Sequence, residues 1–207
     1  FTFDESHIFA KIVHFEKRLE KLRELFKAYH FFQKLSLQND GNLQQICKTF
    51  FKVAEIIKGR PYDVLDITAA AFDVDFDNIR IVILGLEQQL QDYIDKRFKH
   101  TESTEQSLEM LSNFQALLDR DSLRPYLNAK HVDVFTNFMH DLDVVSNLYE
   151  TQKESPPITR DSPPVAGRIM WVRHLLQMIE VPMKRFQQNK ALMISKDCRV
   201  IIKKYNQ

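Results

Sequence analysis

The chain has little of what tightly turned or covalently cross-linked folds need. Its 207 residues include only four glycines and two cysteines, Cys47 and Cys198. So few glycines leave little material for tight turns, which favours long regular elements joined by few loops. Two distant cysteines outside any CxxC pattern argue against a disulfide framework and a zinc site, and fit a reducing compartment.

Long apolar runs and an excess of one charge are also missing. No apolar run approaches the roughly 18 residues of a membrane span, and no signal-peptide pattern opens the chain. Lys and Arg total 29 against 28 acidic residues, whereas nucleic-acid binders show a marked basic excess. We therefore expect neither a membrane nor a nucleic acid as a partner.

One segment near the C-terminus departs from this balance of charge. It has seven basic residues and a single acid, Asp197. The basic residues are Lys184, Arg185, Lys190, Lys196, Arg199, Lys203 and Lys204. This pattern is typical of a solvated helix face, and the alternative is a contact for an acidic partner.

Motifs of reactive sites are absent from the sequence. The glycines, at positions 41, 59, 85 and 167, cannot form the GxxxxGK[ST] loop that holds nucleotide phosphates. There is no HExxH, no nucleophile elbow GxSxG and no DDxxD pair of the kind that all-helical prenyl-diphosphate enzymes use. We predict no catalytic, cofactor-binding or metal-binding residue, no small-molecule substrate and no enzymatic activity in this chain.

Two sets of polar residues come nearest to the pattern of a metal-binding or catalytic site. The first is the alternating set Asp73, Asp75 and Asp77, but a calcium loop would need Gly and Glu where Asn78 and Leu84 stand. Asp at a helix start complements the helix dipole instead. The second is the set of seven histidines, of which no two lie at i and i+4, and His140 and Asp141 point to different helix faces. We expect structural or surface roles for both groups.

Apolar residues recur at alternating steps of four and three along six segments, which predicts six helices. The first seam, in a helix from about residue 5 to 35, is Ile8, Ile12, Phe15, Leu19, Leu22, Phe26 and Tyr29. The sixth is Val165, Ile169, Val172, Leu176, Ile179, Met183 and Phe186, and the others begin at Leu43, Phe72, Leu108 and Val134. Such helices pack as antiparallel neighbours, so we predict an all-α fold, an elongated stack of antiparallel helical bundles.

Prolines and chain ends suggest how the segment is organised. A Pro-rich run beginning at Ser155 separates a predicted bundle region, 1–155, from a junction and kinked helix, 156–207, that leads into the next bundle. Pro182 is the predicted kink, because it removes a backbone hydrogen bond. Trp171 is typical of a core anchor, and the alternative is an exposed anchor for a partner. Phe1 stands where Met would open a whole protein, and the last pattern stops abruptly, so we expect a fragment cut at both ends.

The runs between the helices are more distinctive than the helices. They include Arg60-Pro61-Tyr62-Asp63-Val64-Leu65-Asp66, Phe72-Asp73-Val74-Asp75-Phe76, Arg120-Asp121-Ser122-Leu123-Arg124, Pro156-Pro157-Ile158-Thr159-Arg160, Pro163-Pro164-Val165-Ala166-Gly167-Arg168-Ile169-Met170-Trp171 and Glu180-Val181-Pro182-Met183. In order and spacing, these runs resemble the N-terminal stem of dynein heavy chains over nearly the whole chain. The resemblance is closer to axonemal than to cytoplasmic heavy chains, chiefly from Pro156 through Met183.

The resemblance implies a structural tail segment of an axonemal dynein heavy chain, a minus-end-directed microtubule motor. Its AAA+ ATPase ring, which uses ATP and magnesium, would lie outside this chain. The stem would join other heavy chains, WD-repeat intermediate chains, light chains and axonemal docking proteins, and through them the doublet microtubule of a cilium or flagellum. The alternative is an unrelated helical-rod tether or spectrin-like scaffold, which would explain the seams but not the ordered runs.

Overall fold

The structure is a computed structural model that describes residues 5–158, 163–193 and 196–206. In these ranges the chain forms eight α-helices, one short 3-10 helix and no strand, which confirms the predicted all-α class. The helices are α1 (Glu5–Ser36), α2 (Gly41–Lys58), α3 (Ala70–Lys99), α4 (Thr104–Asn113), α5 (Arg124–Gln152), α6 (Pro164–Gln188), α7 (Lys190–Met193) and α8 (Lys196–Tyr205), with the 3-10 helix at Gln115–Asp119. None of the helices in these ranges is long and apolar enough to cross a membrane.

The six predicted helices correspond to α1 through α6. The spacing missed α7, which is a single turn, and α8, in which Val200, Ile201 and Ile202 are consecutive instead of standing at steps of three and four. The chain divides into two compact units, Phe1–Lys96 with Ala116–Leu123, and Arg97–Gln115 with Arg124–Gln207. The predicted boundary after residue 155 falls inside the second unit and stays a prediction. Residues 159–162 of the predicted Pro-rich junction lie outside the described residues.

The core of the first unit is formed by α1, α2 and α3. Asp40 begins α2 by accepting hydrogen bonds from the backbone N–H of Asn42 at 2.9 Å and Leu43 at 3.3 Å. Beyond this turn α2 packs on α1, and the buried rings of Phe32 and Phe50 stack with centroids 4.3 Å apart. From α3 come six buried residues of its predicted seam, Phe72, Phe76, Ile79, Ile83, Leu86 and Leu90.

The core of the second unit lies between α4, α5, α6 and α8. The sequence Ser103-Thr104-Glu105-Gln106 is typical of a capping box at the start of a helix. At the start of α4 the hydroxyl of Ser103 accepts from the backbone N–H of Gln106 at 3.2 Å, and the side chain of Gln106 accepts from that of Glu102 at 3.0 Å. Near the end of α6, Phe186 is fully buried and its ring lies 5.4 Å from Phe135 and 6.2 Å from Phe138 of α5. Pro182 is buried inside α6, which continues past it to Gln188. That its kink sets the angle of the next bundle stays a prediction.

Candidate interaction surfaces

The predicted seam of α1 is the clearest departure from the expected core. Six of its seven residues are exposed and Leu22 is half-buried, with Ile12 at 55% and Phe26 at 64% exposure. The helix instead buries the neighbouring positions Ala28, Phe31, Phe32 and Leu35 toward its C-terminal end. The four-three spacing therefore predicted this helix correctly and its buried face wrongly. An apolar stripe this long on one helix is a typical docking surface.

Next to this stripe, the first unit has an apolar groove of about 260 Å³. Residues of three predicted seams line it, namely Leu22, Phe26 and Tyr29 of α1, Phe50 and Ile57 of α2, and Phe72 and Ile79 of α3. The seams converge here but do not fill the space between the helices. An open apolar groove that continues into an exposed helical stripe is the geometry that accepts an amphipathic helix.

A second exposed stripe lies on the first half of α6, in the second unit. The seam residues Val165, Ile169, Val172 and Leu176 are exposed, whereas Met183 and Phe186 toward the other end are buried. Trp171 is half-buried rather than a core residue. Its indole stacks on the ring of Tyr149 from α5, with centroids 6.1 Å apart and an interplanar angle of 14°. An anchor for a partner at Trp171 stays a prediction.

Asp73, in the first turn of α3, binds cations of α1. Its carboxylate lies 3.1 Å from the guanidinium of Arg18 and 2.8 Å from the ammonium of Lys21. The hydrogen bond from Lys21, aided by the charge of Arg18, holds the pKa of Asp73 below its usual range. Arg18 is buried, and its guanidinium also lies 4.3 Å from the centre of the Phe72 ring. This carboxylate therefore fastens α1 to α3.

Asp75 fastens the loop that precedes α3. It lies 3.0 Å from the guanidinium of Arg60, and the hydroxyl of Tyr62 donates to it at 2.8 Å. Burial and the bond to the Asp75 carboxylate raise the pKa of Tyr62 to about 12. Among the residues with described coordinates, no group of three His, Cys, Asp or Glu could hold a metal ion.

The raised pKa of Tyr62 predicts a pH dependence. The phenol ionises near pH 10 in an unfolded chain. Its contact with Asp75 should therefore contribute fully to stability below about pH 10, and the contribution should be lost as the pH rises through about 12. In Asp75→Asn the pKa of Tyr62 should fall, as measured by ultraviolet titration of phenolate absorbance, with Tyr62→Phe identifying its signal. A Tyr62 that already titrates near 10 in the unsubstituted chain would contradict this assignment.

Three of the seven cations of the predicted basic stretch form ion pairs within the second unit. Lys184 lies 3.5 Å from Glu180, Arg185 lies 3.5 Å from Glu105, and Lys204 lies 2.5 Å from Asp143. Arg199 and Lys203 are exposed, and the side chains of Lys190 and Lys196 lie outside the described residues. An acidic partner for this stretch stays a prediction.

A groove of about 710 Å³ lies in the second unit between the start of α4, α5 and the middle of α6. It brings together His140, Asp141 and His174, which sequence spacing could not do because the histidines lie on different helices. The hydroxyl of Thr104 donates to Asp141, and that of Ser107 bonds to the backbone carbonyl of Ser103 at 3.2 Å. The first bond ties the start of α4 to α5, and the second lies within the first turn of α4.

Both cysteines are buried, and neither forms a disulfide. Burial raises the pKa of the Cys47 thiol to about 11 and also raises that of Cys198. Both thiols are therefore protonated at neutral pH, whereas nucleophilic and metal-binding cysteines act as thiolates.

Fold and surfaces together define a class, an all-helical segment that uses its charged residues to fasten its own helices and leaves apolar seams exposed. The whole chain, residues 1–207, matches the family model of the dynein heavy chain, N-terminal region 1. The chain belongs to this family, which confirms the resemblance found in the Pro- and Asp-rich runs. The matched region is the N-terminal tail region and is not the ATPase motor.

The chain is similar to several axonemal and flagellar dynein chains. The chain is 41% identical over 207 residues to the dynein gamma chain, flagellar outer arm, of Chlamydomonas reinhardtii. It is 34% identical over 206 residues to dynein axonemal heavy chain 5 of Rattus norvegicus, and 32% over 206 residues to dynein axonemal heavy chain 8 of Homo sapiens. Each match covers 100% of this chain and 5%, 6% and 5% of these relatives, respectively.

The names of these relatives also indicate a location in the cell. The relatives are axonemal, flagellar and ciliary chains, including the dynein beta chain, ciliary, of Heliocidaris crassispina. The chain is thus a cytoskeletal segment of the dyneins of cilia and flagella. The alternative of an unrelated rod tether is wrong.

Proposed function

We propose that this chain is a non-catalytic scaffold in the tail of an axonemal dynein heavy chain. It holds other heavy chains, WD-repeat intermediate chains and light chains, and through axonemal docking proteins it anchors the motor to the doublet microtubule. ATP and magnesium act in the motor region outside this chain. The single observation that carries the proposal is the exposed seam of α1 beside an open apolar groove.

The exposed apolar surface of α1 favours the docking of a partner. Burying one side chain of the size of Leu or Phe stabilises by about 1.5–3 kcal/mol, so six exposed seam residues offer a large favourable term to a partner helix. Residues 6–17 of α1 are exposed on every face. Three turns of helix without packing are marginal in water, so a partner would also stabilise the helix.

Paired carboxylates and protonated thiols support the non-catalytic part of the proposal. Asp73 and Asp75 are bonded to cations of the same unit, and the pKa of Cys47 is far above neutrality. We expect no ATP hydrolysis by the 207-residue chain above the background of a buffer blank. Turnover that rises in proportion to chain concentration through repeated purification would contradict the non-catalytic role.

The docking role is tested with two serines on the seam, Phe15→Ser together with Leu19→Ser, in the heavy chain. Both side chains are exposed, so the fold should persist. Losing two buried apolar side chains from an interface should weaken assembly at least about tenfold, since 1.4 kcal/mol is a factor of ten. The measurement is the amount of intermediate and light chains that co-purify with the heavy chain, with motor ATPase activity unchanged.

The matched control replaces two equally apolar exposed residues of the same unit that lie off the seam, Leu37→Ser with Ile56→Ser. This variant should assemble as the unsubstituted chain does. If the seam variant retains its full complement of partners, or the control loses as much, the seam is not the docking surface.

A further inference from the structure

We propose that the first half of α6 docks an acidic amphipathic helix of a partner chain. This inference rests on the proposed function and names the chemistry of one of its partners. The docking face is defined by the seam residues Val165, Ile169, Val172 and Leu176, the flanking residues Arg168 and Arg173, and the aromatic pair Trp171 and Tyr149.

The apolar part of the docking face has the spacing of a coiled-coil seam. In heptad terms Val165 and Val172 take d positions, and Ile169 and Leu176 take a positions. All four are exposed, with Val165 at 72%. Beside the seam a groove of about 360 Å³ is lined by Val172, Leu176 and Tyr149 among others, so side chains of an incoming helix have space to enter.

The charged part of the docking face has one sign. Residues 163–179 include two arginines and His174 but no acid. Arg168 takes the g position and Arg173 the e position, the two positions that meet charged residues of a partner helix in a coiled coil. Both side chains are exposed, and in the described part of the chain neither has a carboxylate partner. Glu or Asp at the facing positions of a partner would complement them.

The same positions disfavour a second copy of this chain as the partner. In a parallel pair, g of one helix faces e of the other, so Arg168 would meet Arg173. In an antiparallel pair g faces g and e faces e, so each arginine would meet itself. Like charges are opposed in both orientations, which selects against self-association and for an acidic partner.

The aromatic pair gives the docking face a fixed anchor. Trp171 and Tyr149 come from different helices and hold each other by stacking, so little side-chain freedom is lost when a partner covers them. Met170, at 65% exposure, lies beside Trp171. Trp, Tyr, Met and Arg are the residue types enriched in protein interfaces and their hot spots.

A basic apolar helix can also lie on an anionic membrane, but the surroundings of the docking face favour a protein. The groove of about 360 Å³ beside the seam is lined by residues of α5, α6 and α8. Side chains of a partner helix can enter this groove, whereas a flat anionic bilayer cannot.

Trp171 makes the test direct, because it is the only tryptophan among the 207 residues. The probe is a synthetic helix about four heptads long, with Leu at a and d, Glu at e and g and no aromatic residue. Titration into the 207-residue chain should shift Trp171 emission to shorter wavelength and saturate. A peptide with Lys at e and g should bind at least tenfold more weakly, and added salt should weaken the Glu peptide.

Charge reversal supplies the matched variants. Arg168→Glu with Arg173→Glu should weaken the Glu peptide at least tenfold and reverse the preference toward the Lys peptide. Lys48→Glu with Arg80→Glu changes the net charge equally at exposed positions of the first unit and should leave both affinities unchanged. Circular dichroism checks that each variant keeps its helical content, and Arg168→Gln with Arg173→Gln provides a milder pair.

Three results would overturn the proposal. These are no emission change with the Glu peptide, equal affinity for both peptides, and binding to anionic phospholipid vesicles without peptide binding. The last would make the face a lipid surface. None of them bears on the serine variants of the α1 seam, so a failure of this inference is distinguishable from a failure of the proposed function.

Discussion

Replacing Arg120 by Met is expected to destabilise the first unit by about 3–5 kcal/mol. The Nε of Arg120 lies 2.6 Å from Oε1 of Glu87, and their side chains are only 13% and 4% exposed. Removing the cation leaves a buried carboxylate without its ion-pair partner. This loss is costly because the carboxylate keeps its desolvation penalty without the attraction of the guanidinium.

Hydrogen exchange of the α3 core amides is the measurement, since it reports opening of the first unit separately from the second. Arg120→Met with Glu87→Met should recover most of the loss, because an apolar pair of similar volume replaces the ion pair without a buried charge. Lys34→Met removes an exposed ion pair to Asp119 in the same unit and should change stability by less than about 1 kcal/mol. Equal effects of Arg120→Met and Lys34→Met would contradict a structural role for the buried pair.

Phe186→Ala is expected to destabilise the second unit by about 3–5 kcal/mol. The ring is fully buried near the end of α6 and contacts Phe135 and Phe138 of α5. Truncation removes the transfer free energy of the ring and leaves a cavity between the two helices. Urea unfolding followed by Trp171 emission measures it, since this tryptophan lies in the same unit.

Val165→Ala, on the exposed half of the same helix, is the matched control. This substitution should change the free energy of unfolding by no more than about 0.5 kcal/mol, because the side chain of Val165 is already exposed to solvent in the folded state. A comparable loss in both variants would mean that the first half of α6 is packed, and that its exposed seam does not exist in solution.

Helices α1 to α6 could be predicted from the sequence because apolar spacing is a local property. The start of α4 could be predicted too, since a capping box is formed by residues within one turn. The buried face of α1 could not. Spacing identifies which face of a helix is apolar, but not whether another segment of the same chain packs against that face. The same pattern is buried in α3 and exposed in α1.

Contacts between residues that are far apart in the chain could not be predicted from the sequence either. The sequence places Asp73 at the start of a helix, and the structure confirms this position. Its partners Arg18 and Lys21, however, are more than 50 positions away in the chain. Nothing in the sequence connects Glu87 with Arg120, and only the fold brings them together as a buried pair. The position of Trp171 beside a seam is typical of a core residue. In this half of α6, however, the seam is exposed to solvent.

We expect other chains to cover the exposed seam of α1 when the dynein assembles. Hydroxyl-radical footprinting, which oxidises accessible side chains, tests it directly by comparing the free heavy chain with the assembled arm. Phe15, Leu19 and Phe26 should be oxidised several-fold more slowly in the assembled arm, while Leu37 and Ile56 should react alike in both. Equal oxidation of the three seam residues in the two states would contradict the claim.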